Sequence, residues 1–252
     1  MDMAAFLRFH EGAARQGPGT AEDVAWAVAA AGTGKGAKVL DAGAGVGCDI
    51  RALREAIPEA EVVALEVHEA FIEAISGRYG PEVTAIHGSM GPEPGFDGSA
   101  PVDLAKLGPF DLIWCAGAIY FLGVETALRH WKDALAEGGA VAFTAPVMFT
   151  DTPSQEAIAF WQGDPVGTVD EVRQAVTAAG YQILAERPEP EAGWETYFAA
   201  QKDRIAALRS EITEGREGAE MTEVLDQAER EAQQWRTLRR EVGYYAVVAR
   251  PE

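Results

Sequence analysis

The sequence predicts an α/β fold, with a largely parallel sheet covered by helices. Three observations carry this. Short apolar runs alternate with amphipathic stretches from residue 38 to about 187. A glycine-rich turn, Gly43-Ala-Gly-Val-Gly47, follows the first of those runs. An acidic residue, Glu66, closes the second. Strands separated by helices pair in parallel, through right-handed crossovers.

The elements follow in order. Lys38–Asp41 is a strand that ends at the glycine-rich turn, and residues 47 to 56 read as a helix. Glu61–Glu66 is the next strand, followed by a helix over 69 to 78 that gathers Phe71, Ile72 and Ile75 on one face. Val83–Ile86 and Phe110–Cys115 are strands, and a helix follows near 124 to 136. Gly138-Gly139 stops that helix before the strand Ala140–Thr144. A helix over 168 to 179 precedes the strand Tyr181–Ala185. Pro188-Glu-Pro190 then breaks the rhythm, and two long helical patterns run near 193 to 212 and 219 to 240. In the second, Met221, Val224, Leu225, Ala228, Trp235 and Leu238 fall at helical spacing and read as a core-facing stripe. Tyr244–Ala249 is the last strand. The organisation is one domain over 1–252, with a helical segment at 1–37, a core at 38–187, an inserted helical pair at 188–241 and a final strand at 242–252. Open α/β sheets bind ligands beyond the carboxyl ends of their strands, so the inserted pair is placed to form a cap.

Composition narrows the function. Apolar residues make up 48% of the 252, enough for a core. Twenty-one basic against 40 acidic residues leave a net charge of -19, which makes nucleic acid and anionic membrane poor partners. Two cysteines build no disulfide framework, and no spacing suggests a metal site. The first residues lack the shape of a signal peptide, and no apolar run reaches membrane-spanning length. The expected setting is cytoplasmic; the oligomeric state is not encoded legibly.

The turn carries the chemistry. Glycines at 43, 45 and 47 let a backbone approach its ligand, and the helix that follows points free N–H groups the same way. Glu66, 21 residues after Gly45, is placed to accept both hydroxyl hydrogens of a ribose. A dinucleotide turn is spaced G-x-G-x-x-G, whereas this one reads G-x-G-x-G with Asp41 just before it. A carboxylate there repels a pyrophosphate and suits an ammonium or sulfonium group.

Val39-Leu-Asp-Ala-Gly-Ala-Gly-Val-Gly47, Val63-Ala-Leu-Glu66, Phe110-Asp-Leu-Ile-Trp-Cys115 and Glu137-Gly-Gly-Ala-Val-Ala-Phe143 resemble the successive motifs of the class I S-adenosylmethionine (SAM)-dependent methyltransferase family. The resemblance implies a Rossmann-like sheet of seven strands with the last antiparallel, SAM as cofactor, and methyl transfer to an acceptor. Arg15-Gln-Gly-Pro-Gly19, Gly117-Ala-Ile-Tyr120, Trp194-x-x-Tyr197 and Gly243-Tyr-Tyr245 further resemble a bacterial small-molecule-type subgroup, named by similarity to quinone-biosynthesis methyltransferases. Three positions depart from the pattern, where Ser89, Ala116 and Ala145 replace acids.

The residues expected to hold SAM are Arg15, Gly19, Asp41, Gly43, Ala44, Gly45, Glu66, Val67, Ser89, Met90 and Cys115. Arg15 is a candidate partner of the methionine carboxylate. Tyr120 and His10 are the catalytic candidates, and Tyr120, Trp161, Trp194 and Tyr197 the substrate-binding ones, with Tyr244 beside them. Cys48, near a helix start, is placed where a thiol pKa can fall, although both cysteines read first as small buried residues. In-line displacement from a sulfonium needs alignment more than a base, so the lack of a triad or metal site is no objection. No Asn/Asp-Pro-Pro-Tyr/Phe stretch follows the fourth strand, which leaves a small molecule as the acceptor class. Two other readings stay open: a SAM- or S-adenosylhomocysteine-binding sensor or partner protein without turnover, and a nicotinamide-dependent oxidoreductase.

Overall fold

A computed structural model describes residues 2–161, 164 and 166–252. The chain opens with α1 (Met3–Glu11) and α2 (Ala21–Ala31). β1 (Lys38–Ala42), α3 (Ile50–Ala56), β2 (Glu61–Glu66), α4 (Glu69–Tyr79) and β3 (Val83–His87) follow. Next come α5 (Leu104–Leu107), β4 (Phe110–Ala116), α6 (Val124–Trp131), β5 (Leu135–Met148), α7 (Gln155–Phe160) and α8 (Val169–Ala178). β6 (Tyr181–Pro188), α9 (Glu191–Thr213), α10 (Ala219–Leu238) and β7 (Val242–Pro251) complete it.

The seven strands lie in the order β3-β2-β1-β4-β5-β7-β6. β1 to β5 pair in parallel, and β7 runs antiparallel to both of its neighbours. Alternate residues of each strand serve opposite faces. Leu40, Ile113, Val141 and Val247 pack with Leu128, Trp131 and Val176 of α6 and α8. Val39, Leu112, Ala140 and Val248 pack against Val24, Val28 and Leu53 of α2 and α3. Strands covered on both faces leave ligand space only at their ends, and here that space opens at the carboxyl ends of β1, β2 and β4.

Several boundaries move from their sequence expectation. The helix expected from residue 47 begins at Ile50, because Gly43, Gly45 and Gly47 all take positive φ and hold the chain in a turn. The helix expected over 124 to 136 ends at Trp131, followed by a 3-10 turn. β5 reaches from Leu135 to Met148, well beyond the expected Ala140–Thr144, because β7 pairs with its far half from Val141 to Met148.

The inserted pair, α9 and α10, forms as expected, and all six residues of the stripe on α10 are buried. Its packing differs from the expected cap. Phe9 of α1 joins Ile205 and Leu208 of α9 and Met221, Val224 and Leu225 of α10 in one apolar cluster. The pair is therefore a buttress behind α1, and α1 covers the crevice. At its first turn α9 also meets the segment after α1. A Cβ at Gly193 would lie 2.9 Å from the Gly19 nitrogen and 3.1 Å from its Cα.

That contact yields a test with a definite sign. Helix propensity alone favours Gly193→Ala by about 1 kcal/mol. Backbone overpacking costs roughly 1–3 kcal/mol. Gly193→Ala is expected to lower stability in urea unfolding; a gain would show that α9 is not held against the segment at Gly19.

Candidate functional site

The site starts at Glu66, the last residue of β2. Its carboxylate turns back across the glycine-rich turn, where Oε2 accepts from the Gly45 N–H at 2.8 Å. Oε1 accepts from Val67 at 2.8 Å and His68 at 3.1 Å. Burial raises the Glu66 carboxyl above the usual carboxylate range, while these three N–H groups favour its ionised form. Orientation is thereby set by backbone rather than by a mobile partner.

Two cavities meet at Glu66. One, of about 370 Å³, lies over the ends of β2 and β3 and is lined by Leu65, Val67, Ser89, Met90, Phe96 and Leu122. The other, of about 200 Å³, lies between the turn and α1 and is lined by His10, Arg15, Asp41, Ala44, Gly45 and Tyr120. Gly43, Glu66, Ala118, Phe96 and Phe121 border both. Together they form one elongated crevice with a weakly polar end and a charged end.

The charged end is held by Asp49. Both terminal nitrogens of Arg15 donate to Asp49 Oδ1 at 2.8 Å, and Trp114 Nε1 donates to Oδ2 at 3.1 Å. Burial alone would lower the Arg15 pKa; Asp49 outweighs it, and the guanidinium stays charged. Gln16 ties the same segment down, donating to the carbonyls of His10 and Ala13 while its Oε1 accepts from Val46 N–H at 3.3 Å. A Cβ at Gly45 would strike that Gln16 oxygen at 2.7 Å, so the turn and the segment meet only through a glycine.

Several buried polar atoms around this end have no hydrogen-bond partner among the described residues: Asp41 Oδ2, Arg15 Nε and His10 Nδ1. Burial, with Asp49 and Glu66 nearby, raises the Asp41 carboxyl well above its ordinary range. Burial also pushes His10 down to about 4, so its imidazole is neutral near pH 7. A carboxyl oxygen, a guanidinium N–H and an imidazole nitrogen facing one cavity suit a ligand with both a donor and an acceptor end.

The structure brings together most of the residues expected at the cofactor. Asp41, Gly43, Ala44, Gly45, Glu66, Val67, Ser89, Met90 and Arg15 all line the crevice. Others stand apart. Gly19 lies against Gly193 rather than in either cavity, and Cys115 is fully buried in the core beneath. The terminal nitrogens of Arg15, expected to face a ligand carboxylate, are taken by Asp49. His10 and Tyr120 reach the crevice, whereas Trp161, Trp194 and Tyr197 line neither cavity. They pack instead with Trp235 and Tyr244 in an aromatic cluster behind Tyr120. Burial and the neighbouring Asp49 raise the Cys48 thiol, opposite to the lowering expected near a helix start. Ser89 is buried, with Oγ accepting from Gly91 N–H at 3.2 Å.

Sequence reasoning missed Asp49, Gln16 and Glu189. Gln16 sat inside the Arg15–Gly19 motif, and Asp49 was legible only as an acid beside a helix start. Glu189 carries no local signal. Both of its carboxyl oxygens are buried without a hydrogen-bond partner among the described residues, and burial together with Asp23 raises its pKa to about 8.

Residues 40–141 match the model of a family described as a methyltransferase domain. No curated protein matches the chain by sequence. Among solved structures, a SAM-dependent methyltransferase from Geobacter sulfurreducens, crystallised with S-adenosylhomocysteine, superposes with TM-score 0.78 at 18% identity, covering 100% of this chain and 99% of that one. One from Thiobacillus denitrificans, also with S-adenosylhomocysteine, gives 0.78 at 19% identity and covers 100% of both chains. YjhP from E. coli gives 0.76 at 18% identity, covering 98% of this chain and 99% of that one. The fold is thus the Rossmann-like fold of these solved methyltransferases, and residues 40–141 are similar to the methyltransferase domain model.

Two tests follow from the charges. Asp49→Asn leaves Arg15, whose side chain is only 11% exposed, without its counter-charge. A loss of about 3 kcal/mol is expected in chemical unfolding, with faster hydrogen exchange over residues 12–19; unchanged exchange would contradict the tether. Glu189 titrates with the opposite sense to a salt-bridged acid. Its folded pKa of about 8 lies above the ordinary 4.5, so its contribution is complete below pH 4.5 and is lost as pH rises through 8. Glu189→Gln is therefore expected to flatten the fall in unfolding midpoint between pH 5 and 8.5, and an unchanged slope would refute the assignment.

Proposed function

We propose that the chain is a SAM-dependent methyltransferase acting on a small-molecule acceptor. The observation that carries this reading is the position of Glu66. It stands between a cavity of a size and polarity that suit a nucleobase and a charged cavity that suits an amino-acid end. SAM has that layout, with its ribose in the middle.

The residues present fit such a cofactor. Glu66 would accept from the ribose hydroxyls, and Ser89, Met90 and Val67 would flank the base. Asp41 Oδ2, buried and unpartnered, would accept from the methionine ammonium. Arg15 would reach the methionine carboxylate only through its free Nε, because Asp49 occupies the other nitrogens. Bound SAM supplies a methyl group already activated on a sulfonium. The protein's part is to align that methyl with the acceptor and to exclude water.

Acceptor chemistry belongs at the end of β4, where Ala116, Gly117 and Tyr120 border the charged cavity. Tyr120 would orient the acceptor. His10, neutral and with Nδ1 free, would take a proton from an acceptor that must lose one. The Arg15–Gly19 and Gly117–Tyr120 motifs both lie at or beside this mouth, which supports membership of the small-molecule subgroup they resemble. The acidic surface argues for a soluble cytoplasmic setting and against a polyanionic substrate.

Glu66→Ala removes a charged acceptor of two hydroxyl hydrogens. SAM affinity, read by isothermal titration with NADH as a control, is expected to fall about tenfold or more, with the circular dichroism spectrum unchanged. Failure of folded wild-type protein to bind SAM would overturn the proposed function. Normal SAM affinity in a folded variant would overturn the role given to Glu66.

A further inference from the structure

Few large apolar side chains of this molecule face solvent, and most of those that do stand at the crevice. Among the described residues they are Phe96 and Phe121, each 68% exposed, Ile158 and Tyr120. Phe96 and Phe121 border both cavities, and Tyr120 borders the charged one. Single exposed apolar residues are ordinary, but rings gathered at a cavity mouth mark a surface that is covered in use. Each ring is presented by a hydrogen-bonded turn. At Phe96, Gly95 N–H donates to Ser99 O at 2.9 Å, and Asp97 accepts from Ser99 N–H at 2.8 Å and from His87 Nε2 at 2.9 Å. Phe121 closes the 3-10 turn Ile119–Phe121, where its N–H donates to Ala118 O at 3.1 Å and its ring lies 4.5 Å from that of Tyr120.

The mouth beside these rings offers no free charge. Residues 116–124, Ala-Gly-Ala-Ile-Tyr-Phe-Leu-Gly-Val, carry none. From α1, Phe6 and Leu7 add to the wall, and the Phe6 ring packs on His10 at 4.3 Å. The ionised groups deeper in the charged cavity are engaged: Arg15 with Asp49, Glu66 with three backbone N–H groups, and His68 with Glu11 at 3.1 Å. Asp41, at the end of β1, is the acid assigned above to the cofactor ammonium. A charged acceptor would lose water at this mouth and gain no counter-charge. A flat apolar one would bury the faces of Phe96 and Phe121.

We infer that Phe96 and Phe121, with Tyr120, form the acceptor subsite, and that it takes an uncharged molecule with a flat apolar ring and one protic group. The ring subsite stands on the mouth itself; that its occupant is the methyl acceptor rests on the methyltransferase reading. The apolar ring lies against Phe96 and Phe121, and the protic group points inward to His10, whose Nδ1 is unpartnered among the described residues. Phe96 and Phe121 are thus binding residues that set specificity, and the proton-accepting role stays with His10.

The test uses the full chain at pH 7, with 2-naphthol as the uncharged probe and 2-naphthoate and 2-naphthylmethylammonium as its charged counterparts. Each is titrated calorimetrically with and without saturating S-adenosylhomocysteine. Naphthol is expected to bind about tenfold more tightly than either ion. Phe121→Ala and Phe96→Ala, at exposed positions, are each expected to weaken naphthol about tenfold, whereas Ile158→Ala, at an exposed apolar residue outside both cavities, leaves it unchanged. Absence of saturable naphthol binding, equal or tighter binding of an ion, full affinity in both phenylalanine variants, or an equal loss in Ile158→Ala would overturn the inference. SAM titration of the same samples keeps the two proposals separate. SAM binding without a naphthol preference sinks this inference alone, and a naphthol preference without SAM binding sinks the methyltransferase reading while the ring subsite stands.

Discussion

The Asp49 carboxylate holds the charged end of this molecule together. It stands just before α3, accepts from the Trp114 indole of β4, and receives both terminal nitrogens of Arg15. One side chain therefore joins the glycine-rich turn, the sheet and the segment after α1. Without it the segment carrying Arg15, Gln16 and Gly19 would hold a buried cation with no counter-charge, and Gln16 on the Val46 N–H would be left to hold it over the turn. Because both charges are largely removed from water, the pair contributes to position more than to net stability. What it positions is the wall of the crevice.

The same region is short of positive charge. Asp41, Asp49, Glu66, Asp23 and Glu189 are all buried near the carboxyl ends of the strands. Arg15 answers Asp49, and Arg187 answers Asp23 at 2.5 Å, while the other three have no ion-pair partner among the described residues. The protein meets this in two ways. Backbone N–H groups hold Glu66, whereas Asp41 and Glu189 are driven toward their neutral forms by burial and by neighbouring acids. A ligand that carries positive charge into the cavity would relieve Asp41 directly. This is why a sulfonium and an ammonium suit the crevice better than a pyrophosphate does, and the spacing of the glycines alone could not decide that.

Much of this was legible in the sequence because it is local. Strand, turn and helix from Lys38 onward follow from the period of the apolar residues, and the reach of Glu66 to Gly45 follows from two parallel strands in register. The stripe on α10 was equally plain, since a helix with six apolar residues on one face must bury it. What stayed hidden depends on contacts between distant segments. Arg15 looked free for a ligand because nothing near it in the chain announced Asp49. Trp194 and Tyr197 looked like pocket walls, yet two large rings at helical spacing pack against any apolar partner on offer, here Trp235 and Phe198.

The position of the inserted pair changes how closure must work. Had α9 and α10 covered the crevice themselves, opening would have required a movement of more than forty residues with a large apolar core. The structure gives the cover to α1 and the short segment behind it, with Phe6, Leu7 and His10 on the cavity side and Phe9 on the helical pair. This nine-residue helix is fastened to the helical pair by Phe9, by Arg8 on Glu211 and Glu217, and by Arg204 on the Arg8 and Phe9 carbonyls, while Arg15 and Gln16 fasten the segment after it to the turn. The helical pair then serves as a fixed rest for that cover, joined to it where Gly193 meets Gly19.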